Sequence, residues 1–365
     1  MPPKVSLASL DIPFRHAFAH ASAVRRRAAN VLVRVEDGAG CVGYGEGSPR
    51  AYVTGETVEG AMAFLADRAS SIAAEVGDVD QLRRWLAAHE PLVDARPSAV
   101  CALEMALLDL FARRAGRSVE ALLGVAPLTT PMQVSAVYGV RSNMAFHVLA
   151  WRFGRAGLGD AKLKLTGRPE IDGARVRRLA RRGPVRLDAN NLWPDARSAI
   201  AGLTVAASAG AWAVEEPVAA RDWPAMVAAA RGTGLAIVLD ESFLTLHDLE
   251  AAPSGTRWIA NVRVSKLGGV MRTLAAIAAA RARGLPLIVG AHVGETSLAA
   301  RAGLLAAAAC GEALRAVEIG YGPHLLAHDP FVPAVSFDRR GMMDPPPAGP
   351  GWGVAPDAAG AGAFS

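Results

Sequence analysis

The fold is decided between residues 162 and 269, where five short apolar runs each end in charge: KLKLTG (162–167), VRLDANN (185–191), WAVEEP (212–217), AIVLDES (236–242) and NVRVSKLGG (261–269). From Lys164 the marked residues follow at steps of 24, 27, 25 and 26, to Asp188, Glu215, Asp240 and Lys266, and the chain between them reads as Ala- and Leu-rich helix. A strand of ~5 residues, a helix of ~12 and two short loops fill such a step, which is the repeat of a (β/α)8 barrel. The beat continues through LPLIVGAH to His292, 26 residues on, and through ALRAVEIG to Glu318 after another 26. MQVSAVYG (132–139), around Ser135 to Tyr138, supplies a first strand and brings the count to eight. The marked charges then fall at the C-terminal ends of consecutive strands, which converge on one mouth. A doubly wound open sheet also alternates strand and helix, but it does not call for eight even repeats with ionisable residues at so many strand ends.

Composition agrees with that class. A chain of 365 residues has room for one barrel of ~250 residues and a smaller domain, and 52% hydrophobic residues suit a well-packed globular protein. Cys41, Cys101 and Cys310 have no metal-ligand spacing and cannot all pair, so a reducing compartment, the cytoplasm, is expected. No apolar run approaches the ~20 residues that span a bilayer, and MPPKVSLASLDIPF lacks the pattern of a signal peptide, so no membrane partner is expected. The net charge is only +5, and arginine-rich stretches such as RVRRLARRG (175–183) carry no interleaved aromatics, which argues against nucleic acid. A small carboxylate substrate and further copies of the same chain are the partners expected.

Residues 1–126 read as a separate α+β capping unit, residues 127–325 as the barrel, and residues 326–365 as a C-terminal segment. VSLASLDIPF, ANVLVRVED and AGCVGYGEG can form three antiparallel strands, with Asp37-Gly38 at a turn, and three helical segments follow. Two stretches are expected to be functional loops over the barrel mouth: RHAFAHASAVRRR (15–27), and GYGEGSPRAYVTGET (43–57) with exposed Arg50, Tyr52 and Thr54. Glu46 is expected to tie the second loop down through a local ion pair.

Asp188, Glu215 and Asp240 belong to strands three, four and five, which are neighbours in space. Three converging carboxylates repel one another unless a positive charge sits among them. A hard divalent cation meets that need, and Mg²⁺ fits an all-oxygen set; ion pairing with barrel lysines is the alternative. Glu216 and Glu241 are then partners in support, and Asn190 helps hold the ligands; side-chain parity does not decide between Glu215 and Glu216. Lys162 and Lys164 share one face of strand two, with Lys266 across the barrel. Two ammonium groups side by side lower the proton affinity of at least one of them, which is how a lysine becomes a base near neutrality. A divalent ion on a substrate carboxylate, with a lysine on each side, suits removal of an α-proton through an enediolate.

These residues resemble the muconate-lactonizing-enzyme branch of the enolase superfamily: K-x-K at Lys162 and Lys164, Asp188, E-x-P at Glu215 to Pro217, D-E-S at Asp240 to Ser242, and K-x-G-G at Lys266 to Gly269. The resemblance spans nearly the whole chain. It implies a (β/α)8 barrel with an N-terminal capping domain, Mg²⁺ on Asp188, Glu215 and Asp240, Lys164 and Lys266 as the acid/base pair, and Lys162 tuning Lys164. It also implies that the tail returns to the first domain and closes in P-G-x-G-V, Pro350 to Val354. The expected reaction is racemisation or epimerisation of an amino-acid derivative or related acid. Cycloisomerisation and elimination, as in o-succinylbenzoate synthase, are the alternatives. Relatives that epimerise dipeptides carry Asp-x-Asp at the end of strand eight, where this chain has Glu318-Ile319-Gly320, so that activity is less expected. His292 and Glu295 after strand seven are candidate substrate contacts, with a packed, hydrogen-bonded histidine as the other reading of His292. Glu318 is a candidate for the electrostatic role of that Asp-x-Asp pair towards a substrate amino group, and Arg25, Arg50 and His20 are candidates for recognising a second anionic group.

Overall fold

A computed structural model describes residues 2–20, 23–140, 142–346 and 348–364, with the side chains of residues 17–20 and 23–24 outside that description. The barrel strands are Ala136–Tyr138, Ala161–Lys164, Val185–Asp188, Ala211–Glu215, Ala236–Leu239, Trp258–Val262, Leu287–Val289 and Leu314–Val317, here numbered one to eight. They lie in sequential, parallel order. Strand eight meets strand one where the Ser135 amide donates to the Val317 carbonyl at 2.8 Å, which closes the ring. Strands this short and this apolar leave almost no exposed side chain, so the charges at their ends are held inside the barrel rather than in water.

The capping domain is a three-stranded antiparallel sheet, Lys4–His20, Ala23–Glu36 and Val42–Gly47, packed on the helix Pro97–Arg114. Gly43, Gly45 and Gly47 alternate along one face of the third strand. A Cβ on them would come within 2.2, 2.0 and 2.0 Å of the carbonyls of Ala106, Ala102 and Ser98, so only glycine lets sheet and helix approach this closely. The third strand expected in AGCVGYGEG is therefore present up to Gly47, with a two-residue glycine period as its signature, and the functional-loop reading of residues 43–57 is left only the part beyond it. The other expected loop is also corrected. Residues 15–20 and 23–27 extend the first two strands as a ribbon, with a register shift between Pro13 and Phe18. That ribbon is held by Arg15 Nε on the Leu326 carbonyl at 2.7 Å and by Ala327 N on the Pro13 carbonyl at 2.8 Å. Residues 21 and 22 at its tip lie outside the described residues.

Buried glutamates join the two units. Glu46 accepts from Asn30 Nδ2 at 2.7 Å, from Thr296 N at 3.1 Å and from Ala299 N at 3.2 Å, and also from the Thr296 hydroxyl. It thus sits at the N-terminus of the barrel helix Ser297–Cys310, where unpaired amides favour a carboxylate, and not in an ion pair. Glu104 does the same for the helix Val270–Ala282, accepting from Val270 N at 2.8 Å and Met271 N at 2.7 Å. The tail closes the assembly from the other side. Trp352 is buried, its amide donates to Asp109 Oδ1 at 2.8 Å and its indole Nε1 to the Met105 carbonyl at 3.1 Å.

Burial pushes Glu46 up to about 8 and Glu104 up to about 7, in both cases against the hydrogen bonds they accept. A carboxyl raised in the folded state keeps a proton that the unfolded chain has released. Its stabilising contribution is therefore full below the unfolded value of ~4.5 and is lost as pH rises through the folded one. The melting temperature of the wild type should fall between pH 5 and pH 8.5, and the Glu46→Gln variant should show a smaller fall over that range. Equal pH slopes in the two proteins, followed by calorimetry, would contradict this assignment.

Candidate active site

Strand register places Lys164 beside Asp188 and Asp188 beside Glu215, while Asp240 follows strand five directly. Chain reversal at Glu216, with φ of 43°, ends strand four and settles the parity question. Glu215 points into the barrel. Glu216 turns away and accepts from the amides of Asp240 and Ser242 and from the Ser242 hydroxyl, each at 2.7 Å, bracing the Asp240 turn.

Inside the mouth, cations and carboxylates alternate. Lys162 Nζ donates to both oxygens of Glu215 at 2.8 and 2.9 Å and to Glu318 Oε2 at 3.1 Å, and lies 3.3 Å from Asp188 Oδ2. Lys164 Nζ donates to Asp188 Oδ2 at 2.8 Å and to Asn190 Oδ1 at 2.7 Å. Lys266 Nζ donates to the carbonyls of Asp240 and Asn261, both at 2.8 Å, and to Asp240 Oδ1 at 3.0 Å. Arg263 pairs with Asp240 Oδ2 and lies 3.7 Å from Glu215 Oε1. Arg186 reaches Glu318 Oε1 at 2.6 Å and Asp160 Oδ2 at 2.6 Å. Arg263 and Arg186 were not singled out from the sequence. Arg186 stands two residues before Asp188 and therefore on the same face of strand three, a signal that the sequence does hold.

Burial opposes the charge on Lys162, but Asp188, Glu215 and Glu318 outweigh it and raise its proton affinity well above the ordinary value. The expectation that two neighbouring ammonium groups lower the proton affinity of at least one of them is not met at Lys162, because Asp188 Oδ2 lies within reach of both lysines and Glu215 and Glu318 add to it. Burial is the largest influence on Lys266 too, and there it wins over Asp240 and lowers the affinity. Asp188 is pushed up by burial and pulled further down by Lys162 and Lys164, to about 2, and Asp240 is held low by Arg263 and Lys266 against its burial.

Above this layer opens a cavity of about 390 Å³. Lys162, Lys164, Asp188, Asn190, Glu241 and Arg263 form its floor. Lys266, Glu215 and Asp240 lie beneath the wall and do not line it. The reason is local: Val264 to Gly269 fold into a turn, with Gly269 N on the Val264 carbonyl at 3.0 Å, so strand six stops at Val262 and Arg263 is the first side chain past its end. Lys266 had been expected on strand six itself. His292, also past its strand, lines the cavity, and neither ring nitrogen has a partner among the described residues, so the hydrogen-bonded, packed reading fails. Burial, with Arg263 and Arg50 nearby, keeps this imidazole neutral by lowering its pKa well below normal. Glu295 lines the cavity and accepts from His292 N at 2.8 Å. Glu318 lines it as well.

Capping-domain residues reach the same space. His16 and Tyr52 line the mouth, and the Arg25 guanidinium lies 5.4 Å over the Tyr52 ring. Arg50, expected to be exposed, is fully buried; it donates to the carbonyls of Ala29, Pro49 and Val293 at 2.9, 2.7 and 2.8 Å and to Asn30 Oδ1 at 2.9 Å, tying the domains together. The His20 side chain lies outside the described residues.

Could these residues hold a divalent cation? Among the described residues, no three Asp, Glu, His or Cys side chains are gathered into a metal's inner shell, since Lys162, Lys164 and Arg263 stand between the carboxylates. The donor chemistry nevertheless fits Mg²⁺: three buried carboxylates at neighbouring strand ends, all oxygen, with Glu241 Oε2 buried and unpartnered among the described residues.

Comparison with known proteins places this geometry. The family model "Mandelate racemase / muconate lactonizing enzyme, N-terminal domain" matches residues 5–124, and "Enolase C-terminal domain-like" matches residues 147–360. The chain belongs to the mandelate racemase/muconate lactonizing enzyme family of the enolase superfamily. It is 31% identical over 297 residues to an aromatic dipeptide epimerase of Herpetosiphon aurantiacus, covering 79% of this chain and 82% of that one. It is 30% identical over 361 residues to a hydrophobic dipeptide epimerase of Citrifermentans bemidjiense, covering 94% and 95%. Among solved structures, a dipeptide epimerase from Methylococcus capsulatus complexed with Mg and the dipeptide L-Arg-D-Lys superposes with a TM-score of 0.85 at 27% identity, covering 97% of this chain and all of that one. This chain is an isomerase of that family.

The Arg186–Glu318 pair tests whether the ionic layer is structural as well as functional. Arg186→Met leaves Glu318 buried with one partner fewer, and breaking a buried pair in this way costs ~3–5 kcal/mol. Urea unfolding should show that loss; a change below ~1 kcal/mol would mean that Lys162 alone satisfies Glu318.

Proposed function

We propose that this isomerase abstracts and returns the α-proton of a carboxylate substrate, as a racemase or epimerase of an amino-acid derivative. The observation that carries the reading is the placement of two lysines on opposite sides of one acidic layer. Lys164 ends strand two and Lys266 follows strand six, four steps round an eight-strand ring, so they approach from opposite sides. Similarity to two dipeptide epimerases at 30% identity or more supports it.

In one direction Lys164, as the free amine, takes the α-proton, and the bonding pair moves into the substrate carboxylate as an enediolate. Lys266, as the ammonium, delivers a proton to the opposite face. The lysines exchange roles for the other configuration, so no net charge or reducing equivalent is consumed. Asp188 and Asn190 hold Lys164 Nζ at 2.8 and 2.7 Å and fix its direction. Asp188, Glu215 and Asp240 would hold Mg²⁺, which when bound supplies positive charge to the carboxylate as the enediolate develops. His292, neutral and unpaired, is placed to hydrogen-bond the substrate rather than to act as the base.

A second reading, one-sided proton transfer in a cycloisomerase or lyase, is favoured by Arg263. It lines the cavity floor where Lys266 does not, and a guanidinium does not give up its proton near neutrality.

Incubation in D₂O with Mg²⁺ separates the two. A racemase should lose deuterium uptake from one configuration in Lys164→Ala and from the other in Lys266→Ala, each by about 10²–10⁴-fold. If one lysine governs all uptake, the one-sided reading holds. Uptake that survives in the double variant removes the lysines from the mechanism. Separately, Asp188→Asn should weaken Mg²⁺ binding at least about tenfold by calorimetric titration; unchanged affinity would take Asp188 out of the ligand set.

A further inference from the structure

Resting on Asp188, Glu215 and Asp240 as the Mg²⁺ ligands, we propose that Glu318 is a positioning residue for Lys162. It holds that ammonium off the ligand carboxylates when a divalent ion takes them, and Arg186 fixes it for the task. Among the described residues, three carboxylates lie within reach of Lys162 Nζ: Glu215, with its oxygens at 2.8 and 2.9 Å, Glu318 Oε2 at 3.1 Å and Asp188 Oδ2 at 3.3 Å. Two of the three belong to the ligand set. An ammonium and a divalent ion compete for the same carboxylate lone pairs and repel each other, so Lys162 opposes loading for as long as it stays on Glu215. Glu318 is the carboxylate in its reach that the ion does not need.

Glu318 is itself fixed from below. Its Oε1 accepts from Arg186 Nη2 at 2.6 Å and from Nε at 3.2 Å. Arg186 Nη1 in turn donates at 2.6 Å to Asp160 Oδ2, which also accepts from the Ser135 hydroxyl. Asp160 directly precedes strand two, at the end of the barrel opposite the mouth, so the fully buried Arg186 links the ionic layer to the far end of the barrel. Barrel interiors are ordinarily filled by branched apolar side chains, and a buried ion pair adds little stability over apolar residues of the same volume, so stability does not account for this guanidinium. Direction does. With Oε1 pinned by Arg186, Oε2 is turned to Lys162, and each Glu318 oxygen already has a donor. A carboxylate held in this way serves the lysine beside it and does not swing into the ligand set.

Calorimetric titration with Mg²⁺ alone, without substrate, tests this in a double-variant cycle over Lys162 and Glu318. Glu318→Gln keeps the shape and removes the charge, and it should weaken Mg²⁺ binding about 10–100-fold, the usual effect of losing a residue that supports metal ligands. In the Lys162→Met background there is no ammonium to hold off, and the same Glu318→Gln change should alter the affinity by less than about threefold. A folded Glu318→Gln protein that binds Mg²⁺ as tightly as the wild type overturns the proposal and leaves the ligand set intact. Equal losses in the two backgrounds also overturn it, because Glu318 then acts on the ion through its own field and not through Lys162. If Glu318→Gln does not fold, Glu318→Asp keeps the charge but withdraws it from Lys162 by one methylene, and it should still weaken binding at least about threefold. Unchanged affinity in that variant overturns the proposal as well. A wild type that binds no Mg²⁺ overturns the ligand set, and this inference with it.

Discussion

Electroneutrality in a dry barrel mouth is the constraint that the rest of this structure serves. Lys162, Lys164, Arg186 and Lys266 are buried with Asp188, Glu215, Asp240 and Glu318, Arg263 and Asp160 are partly buried beside them, and each charge touches at least one of opposite sign. An isolated buried ion would cost several kcal/mol, so none of these residues can be understood alone. Short parallel strands, buried on both faces, set their spacing. Glu216 adds a further brace by pinning the amides of the Asp240 turn, so one of the two adjacent glutamates faces the chemistry and the other fixes the geometry of its neighbour.

The capping domain is subject to the same rule. Its docking is polar as well as apolar: Glu46 and Glu104 each insert a carboxylate at the N-terminus of a barrel helix, and Arg50 spans from the sheet to the Val293 carbonyl beyond strand seven. The Glu46 and Arg50 contacts, at Thr296 and Val293, lie directly beside the cavity wall at His292 to Glu295. Rigid docking therefore places His16 and Tyr52 over the mouth, and residues of the cap contribute to a cavity whose floor is built by the barrel.

What could be read from sequence follows from how local each signal is. The eight repeats were legible because strand, helix and loop lengths are set by local geometry, and so were Lys164, Asp188 and Glu215, which end their strands. Lys266 was harder: the run NVRVSKLGG contains two cations, and only the turn over Val264 to Gly269 shows that Arg263 comes first past strand six. Residues 15–27 looked like a loop because they are polar, but residues 15–20 and 23–27 form a strand ribbon, where polarity carries no information about pairing. Arg50 was misplaced for a related reason. A charged residue in a glycine-rich stretch reads as exposed unless its backbone acceptors are known, and they come from Ala29, Pro49 and Val293, two of them far along the chain.

Arg263 also bears on stereochemistry. Two-sided proton transfer needs a group on each face that can both hold and release a proton near neutrality, which a lysine with a lowered affinity can do and a guanidinium cannot. On the Lys164 side a lysine stands at the cavity floor itself. On the other side the cavity presents Arg263, and the lysine that burial has made the better base sits behind it on the carbonyls of Asp240 and Asn261. The same carboxylate, Asp240, binds both cations, one on each oxygen. Any movement of the Asp240 carboxylate therefore changes the pairing of Arg263 and Lys266 together, so these two cations are coupled through one side chain.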